Sequence, residues 1–132
     1  MKVFIVGCGR VGAQLAMLLS SEGHKVTIID INARSFSKLD PTFKGTAVVG
    51  DATNESSLRQ AGIEAADALV AVTEDDNRNV MAAQLAKHLF NVPKVVCRLY
   101  DLQRAKFYQD MGLEAINPTL IFAQMLKEKV VG

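Results

Sequence analysis

The chain has 132 residues, 49% hydrophobic and 22% charged, with 15 Lys and Arg against 14 Asp and Glu for a formal charge of +1. That length gives one domain with one sizeable core rather than two, and a chain of this size buries roughly two-thirds of its unfolded surface, so it needs no disulfide or metal to stand. The balanced charge, with no basic run, argues against DNA or RNA as a partner.

The opening stretch Met1-Lys2-Val3-Phe4-Ile5-Val6-Gly7 is too short for a signal h-region and lacks a small-residue cleavage site. No segment approaches the ~20 apolar residues of a membrane span, so direct membrane insertion is not expected. Cys8 and Cys97 have no CxxC or metal-ligand spacing, as a reducing cytoplasm permits. A bridge between them is not expected, because a parallel sheet keeps the first and fifth strands apart.

Short β-branched runs alternate with helical patterns along the whole chain, the mark of βαβ units and a parallel sheet. Lys2 to Val6 is the first strand. Residues 10 to 22 set Val11, Leu15, Leu18 and Leu19 on one helical face, and Gly23 stops the helix. Lys25 to Ile29 is a second strand ending in Asp30. A helical stretch from Ala33 to Leu39 breaks at Asp40-Pro41, and Thr46 to Val49 is a third strand. Thr53 or Asn54 caps a brief helix to Gln60, and Asp67 to Val72 reads as a central strand apolar on both faces. A long amphipathic helix from Asp75 to Phe90 closes at Asn91 and Pro93, before a fifth strand, Lys94 to Arg98. Asp101 caps a helix to Met111, Leu113 to Ile116 is a sixth strand, and Pro118 opens a last helix. No repeat, low-complexity tract or linker interrupts the series. The expected fold is a Rossmann-like, doubly wound α/β domain over residues 1–132, with strand order 3-2-1-4-5-6 and helices on both faces.

Directly after the first strand comes Gly7-Cys8-Gly9-Arg10-Val11-Gly12, a G-x-G-x-x-G that runs into the first helix. Gly7 permits the tight turn, Gly9 leaves space for a pyrophosphate, and Gly12 lets helix pack on strand, while the helix N-terminus offers free N–H groups and positive potential. Asp30 lies eighteen residues beyond Gly12 at the second strand end, followed by Ile31. A carboxylate there takes ribose hydroxyls and repels a 2'-phosphate, favouring NAD(H) or an adenine nucleotide (ATP, ADP or AMP) over NADP; the alternative is a cap on the next helix. Arg10 sits where its planar fork can reach phosphate, or else is a solvated helix-start residue. Asp51 and Ala52 follow strand three, Thr73 and Glu74 follow strand four, and Arg98 ends strand five. Each alone reads as a loop or cap residue; together they rim one crevice at the carboxyl edge. His24 and His88 have no nucleophile or metal ligand beside them in sequence, and no catalytic residue is assigned.

Gly7 to Gly12, Asp30, Gly50-Asp51-Ala52-Thr53, Leu58 to Ile63, Ala66-Asp67 and Ala71 to Asn77 together closely resemble the TrkA N-terminal domain family, also called the KTN or RCK domain, over essentially the whole chain. The resemblance implies a cytoplasmic, non-enzymatic nucleotide-binding regulator of a potassium transporter or channel, working as a homodimer or a ring-like homo-oligomer. By the same resemblance Gly7 to Val11 form the phosphate loop, with Arg10 reaching ligand phosphates, Asp30 is the ribose acid, Asp51 the adenine-side acid, Thr73 and Glu74 are strand-four contacts, and Arg98 is the strand-five basic position. Many relatives carry Glu after the proline of the last helix, some for a divalent cation; here Thr119 follows Pro118, so no metal site is carried over. Relatives commonly continue into a second ligand-binding domain, so a stand-alone N-lobe or a fragment is expected. Leu120, Ile121, Phe122, Met125, Leu126, Val130 and Val131 form more than one stripe on the last helix, which fits either a subunit contact or a broad core-facing helix. The alternatives are a small NAD-dependent oxidoreductase or its cofactor-binding half, and a regulator of another cation transporter.

Overall fold

A computed structural model describes the chain from Met1 to Gly132. Six strands form one parallel sheet in the order β3-β2-β1-β4-β5-β6, as the sequence leads one to expect. They are β1 (Lys2–Val6), β2 (Lys25–Asp30), β3 (Thr46–Val49), β4 (Ala68–Ala71), β5 (Lys94–Arg98) and β6 (Glu114–Ile116). Strand β1 is central, pairing Val3 with Val26 on one side and with Ala68 on the other. The chain turns outward from β1 through β2 to β3, then crosses to β4 on the far side of β1. The topological switch point therefore lies between β1 and β4.

Alternation along the strands divides the core into two layers. Val3, Ile5, Val26 and Ile28 point to one face, where they pack with Ala13 and Ala16 of α1 (Arg10–Ser21). Phe4, Val6, Ile29, Leu69 and Ala71 point to the other. That second layer is covered by α2 (Glu55–Gln60), α3 (Asp76–Gln84) and α4 (Leu102–Asp110) through Leu58, Val80, Ala83 and Ala105. Right-handed crossovers require this division, because the direction of travel across the sheet reverses after β3. Cys8 belongs to the first layer and Cys97 to the second, so the sheet stands between the two free thiols.

Three segments depart from the expected elements. Ala33–Lys38 is a 3-10 helix, not an α-helix, and none of its residues is buried. Ser35 and Ser37 favour local turns, and Asp40-Pro41 leaves no length for a second turn that could gain by packing. The helix expected from Asp75 to Phe90 is α-helical from Asp76 to Gln84 and then widens into a π turn over Leu85–Leu89. Phe90 N–H donates to the Leu85 carbonyl, both side chains pack on the core, and Asn91 ends the helix at φ 54°. Strand β4 is shorter than the apolar run, although Asp67 and Val72 still donate backbone hydrogen bonds to Lys2 and Val6 of β1.

The last helix, α5 (Pro118–Val131), starts on an Asn117 side-chain cap and buries none of its fourteen residues. Phe122, Met125 and Leu126 are all more than half exposed.

Candidate nucleotide-binding cleft

The carboxyl ends of β1 to β5 share one edge, and the residues expected to form a site follow those ends. The loop after β1 is shaped by its glycines. Gly7 has φ +102°, and a Cβ on it would lie 2.9 Å from the Thr73 nitrogen. Gly12 is seated so tightly that a Cβ would run into the Gly7 carbonyl oxygen. Around Gly9 there is open space: the nearest atom to a Cβ there would be Glu74 Oε1, at 3.9 Å. Close packing thus demands glycine at 7 and 12, whereas glycine at 9 leaves room for something else.

The start of α1 differs from that of every other α-helix here. Side-chain oxygens of Asn54, Asp75, Asp101 and Asn117 cap α2, α3, α4 and α5. Gly9 supplies no such oxygen to α1, and its first turn holds no acidic residue. The first-turn N–H donors and the positive end of the helix dipole are therefore free to meet an anion.

Asp30 organises this loop from beside it. Its Oδ2 accepts a hydrogen bond from the Cys8 N–H and its Oδ1 one from the Asn32 N–H, each at 2.8 Å. The cap expected as the alternative role falls instead to Asn32, whose side chain accepts from the Arg34 N–H. Two adjoining cavities open around Asp30. One, of about 250 Å³, is lined by Ile31, Ala52, Thr53, Glu74 and Arg78. The other, of about 510 Å³, is lined by Gly7, Cys8, Gly9, Arg10, Ser35 and Lys38. The smaller has apolar walls and a polar rim, suited to a base and ribose; the larger sets two cations near uncapped backbone N–H groups, suited to phosphates.

Asp51 lines neither cavity itself but lies between Gly50 and Ala52, which line the smaller one. Its Oδ1 accepts from Thr53 N–H at 2.9 Å and from Thr53 Oγ1 at 2.6 Å, with Arg78 at 3.4 Å. The Thr53 hydrogen bonds, aided by the Arg78 charge, hold the Asp51 carboxyl below its usual range. The Cys8 thiol is pushed up by burial and by the neighbouring Asp30 charge, partly offset by Lys38, and so stays protonated.

Arg98 occupies a different place from the rest. It is 8% exposed and lines neither cavity; its guanidinium donates to the carbonyls of Val72 at 2.8 Å and Thr73 at 2.9 Å. It stacks 4.9 Å from the Tyr100 ring and approaches Glu74 at 3.6 Å, while the Tyr100 hydroxyl donates to Glu74 at 3.1 Å. Buried Asn79 completes the support by accepting from the Thr73 N–H and hydroxyl and donating to the carbonyls of Thr73 and Arg98. The Thr73-Glu74 wall is thus held from beneath by Arg98 and Asn79. Val11 is half exposed and lines neither cavity.

Sequence reasoning singled out the strand ends and missed Lys38, Arg78, Asn79 and Tyr100. Arg78 and Asn79 sit in the first turns of α3, and a charged or amide residue next to a capped helix start carries no signal of its own. Lys38 reaches the loop because the 3-10 segment turns back toward α1.

The TrkA-N domain profile matches residues 3–118. Over 116 residues, 88% of this chain, the sequence is 43% identical to the Trk system potassium uptake protein TrkA of Streptomyces coelicolor, of which it covers 52%. The chain spans about half the length of that relative. Among solved structures, the AMP-bound Kef CTD of Shewanella denitrificans superposes with a TM-score of 0.81 at 28% identity, covering 96% of this chain and 77% of that one. The GsuK channel bound to NAD aligns with a TM-score of 0.79 at 26% identity, over 96% of this chain and 22% of that one. With the glycine loop, the switch-point cleft and a match over most of its length, this chain belongs to the TrkA-N domain family.

Proposed function

We propose that this chain is the nucleotide-binding domain of a potassium uptake regulator, not an enzyme. In this reading it lies in the cytoplasm, binds NAD(H) or ATP/ADP in the cleft beside Asp30, associates with further copies of itself, and transmits its ligand state to a membrane-embedded potassium transporter or channel. The observation that carries the reading is family membership at 43% identity to a potassium uptake protein, joined to an uncapped helix start facing a cavity with two cations. Solved neighbours bound to AMP and to NAD support an adenine nucleotide as the ligand. No helix is long and apolar enough to cross a membrane.

The geometry supports one division of labour. Arg10, Lys38 and the first turn of α1 hold phosphates; Asp30 takes the ribose hydroxyls; Ile31, Ala52 and the Asp51–Thr53–Arg78 group flank the base. Thr73 and Glu74 form the far wall, supported by Arg98. Regulation is a population shift: two ligands that fill the cleft differently favour different subunit arrangements, and a ligand with equal affinity for both would shift nothing.

Mass spectrometry of nucleotide released on denaturing freshly purified protein tests the reading. NAD(H), ATP, ADP or AMP is expected, and NADP as the tight ligand would overturn the role of Asp30. Turnover with any member of an NADH-linked substrate panel would overturn the regulatory reading in favour of an oxidoreductase.

A further inference from the structure

The edge of the sheet opposite the nucleotide cleft carries a cavity of about 550 Å³, lined by Lys2, His24, Lys25, Thr27, Lys44 and Thr46 among others. We propose that this amino edge is a second anion site, taking a phosphate-bearing ligand through Lys2, Lys25 and Lys44.

The parallel register builds the site. Lys2 pairs with Lys25 across β1 and β2, and Thr27 pairs with Thr46 across β2 and β3. Lys44 lies two residues before Thr46, outside the paired stretch of β3, and reaches the same cavity from the preceding loop. Registered residues of neighbouring parallel strands share a face and lie about 4.8 Å apart, so Lys2 and Lys25 stand side by side on one face, and Lys44 lines the same cavity. That face is the one bearing Phe4 and Ile29, and the next row inward, Phe4-Thr27-Thr46, sets two hydroxyls over an apolar floor.

The charge of this cavity is uncompensated. No carboxylate lines it, and none of the three lysines has a carboxylate oxygen within ion-pair distance. The nearby Asp67 carboxylate is taken by the Lys2 backbone N–H at 2.8 Å and does not line the cavity. Like charges set side by side on a sheet repel, and a chain with a net charge of only +1 has acids enough to pair them. A phosphate group, with up to two charges and several acceptor oxygens, meets both the ammonium row and the threonine hydroxyls; a single carboxylate meets only part of it. The five residues of β1 set this edge about 13 Å from the glycine loop, too far for one phosphate to occupy both.

Such a group could belong to a free phosphate compound or to an anionic lipid headgroup, and two probes separate them. In the first, inorganic pyrophosphate is titrated into the protein and amide resonances are followed by NMR. Saturable shifts are expected at Gly45, Thr46 and Gly62, distinct from those at Gly7 and Gly9. In the second, co-sedimentation is measured with phosphatidylcholine vesicles with and without phosphatidylglycerol. The triple variant Lys2→Gln, Lys25→Gln, Lys44→Gln should weaken the interaction at least tenfold while keeping nucleotide binding, which also shows that it folds. The control Lys94→Gln, Lys106→Gln, Lys127→Gln, of equal net charge, should leave it within twofold. Pyrophosphate binding alone assigns a free phosphate ligand, and vesicle binding assigns a headgroup. Shifts confined to the glycine loop with no vesicle binding, no response to either probe, or an equal loss in the control variant overturns the proposal.

Discussion

Asn79 is fully buried, and its amide uses both ends, tying the Thr73 backbone and hydroxyl to the Arg98 carbonyl at the end of β5. Asn79→Ala leaves the Thr73 carbonyl its bond from Arg98 and the Thr73 hydroxyl its bond to Asp75, but takes the side-chain partner from the Thr73 N–H and from the Arg98 carbonyl, so a loss of about 1–3 kcal/mol is expected in urea unfolding, with weaker nucleotide binding even where the protein is folded. Asp51 provides a pH test. Its folded carboxyl titrates below the unfolded one, so the stability it contributes is fully present above about pH 4 and is lost as pH falls through the lower folded value. The stability advantage of the native chain over Asp51→Asn should therefore be constant from neutral pH down to about pH 4 and vanish in stronger acid, as urea midpoints at several pH values will report. Its exposure to solvent keeps this advantage small.

Among the α-helices, α1 is the one whose N-terminus is left without a side-chain cap, and the proposed phosphate position rests on it. Gly9→Asp supplies the missing oxygen in a place with room for a side chain, since the nearest atom to a Cβ there is 3.9 Å away. The helix should gain a few tenths of a kcal/mol, while the new carboxylate occupies and repels the phosphate position. Thermal melting unchanged or slightly raised, together with nucleotide affinity reduced at least tenfold by calorimetry, is the expected pair of results; retained affinity would remove phosphate from this helix end. The 3-10 segment at Ala33–Lys38 illustrates what periodicity alone does not resolve. Its apolar positions suit a short α-helix, yet Phe36 and Leu39 pack on the core from the tighter winding, which also brings Ser35 and Lys38 to the cleft.

At the scale of the molecule, α5 stands apart from the folded body. A fourteen-residue helix that buries nothing is marginal in water on its own, and its half-exposed Phe122, Met125 and Leu126 call for another surface. Of the two readings open in the sequence, the broad core-facing helix is ruled out by this placement. Removal of residues 119–132 should therefore leave nucleotide affinity within about twofold and abolish self-association. Sedimentation of the full chain and the truncated one, each with and without nucleotide, checks this; a full chain that stays monomeric at high micromolar concentration would sink the expectation.

How much of this was legible beforehand depends on the range of the interaction. Strand runs, the glycine loop and the acid at the end of β2 are written in local pattern, and the right-handed crossover rule converts their order along the chain into the order of the sheet. Gly7, Gly12 and Asp30 could be singled out because their demands are met within a strand, a turn and a helix. Arg98 could be placed at a strand end but not given its place, since whether a guanidinium faces the cleft or lies beneath its wall depends on Tyr100, Asn79 and two carbonyls just beyond β4. Lys38 and Arg78 enter the cleft only when separate elements fold against it. The balanced charge of the whole chain likewise conceals three unpaired lysines, two set side by side by strand register and the third brought to the same cavity by the loop before β3. By itself, then, the sequence determined the fold class, the strand order and the glycine loop, because periodicity, backbone sterics and chain handedness act locally. Only the tertiary structure decided which charges meet, which are buried and which helix is left uncovered, because those depend on contacts between residues far apart in the chain.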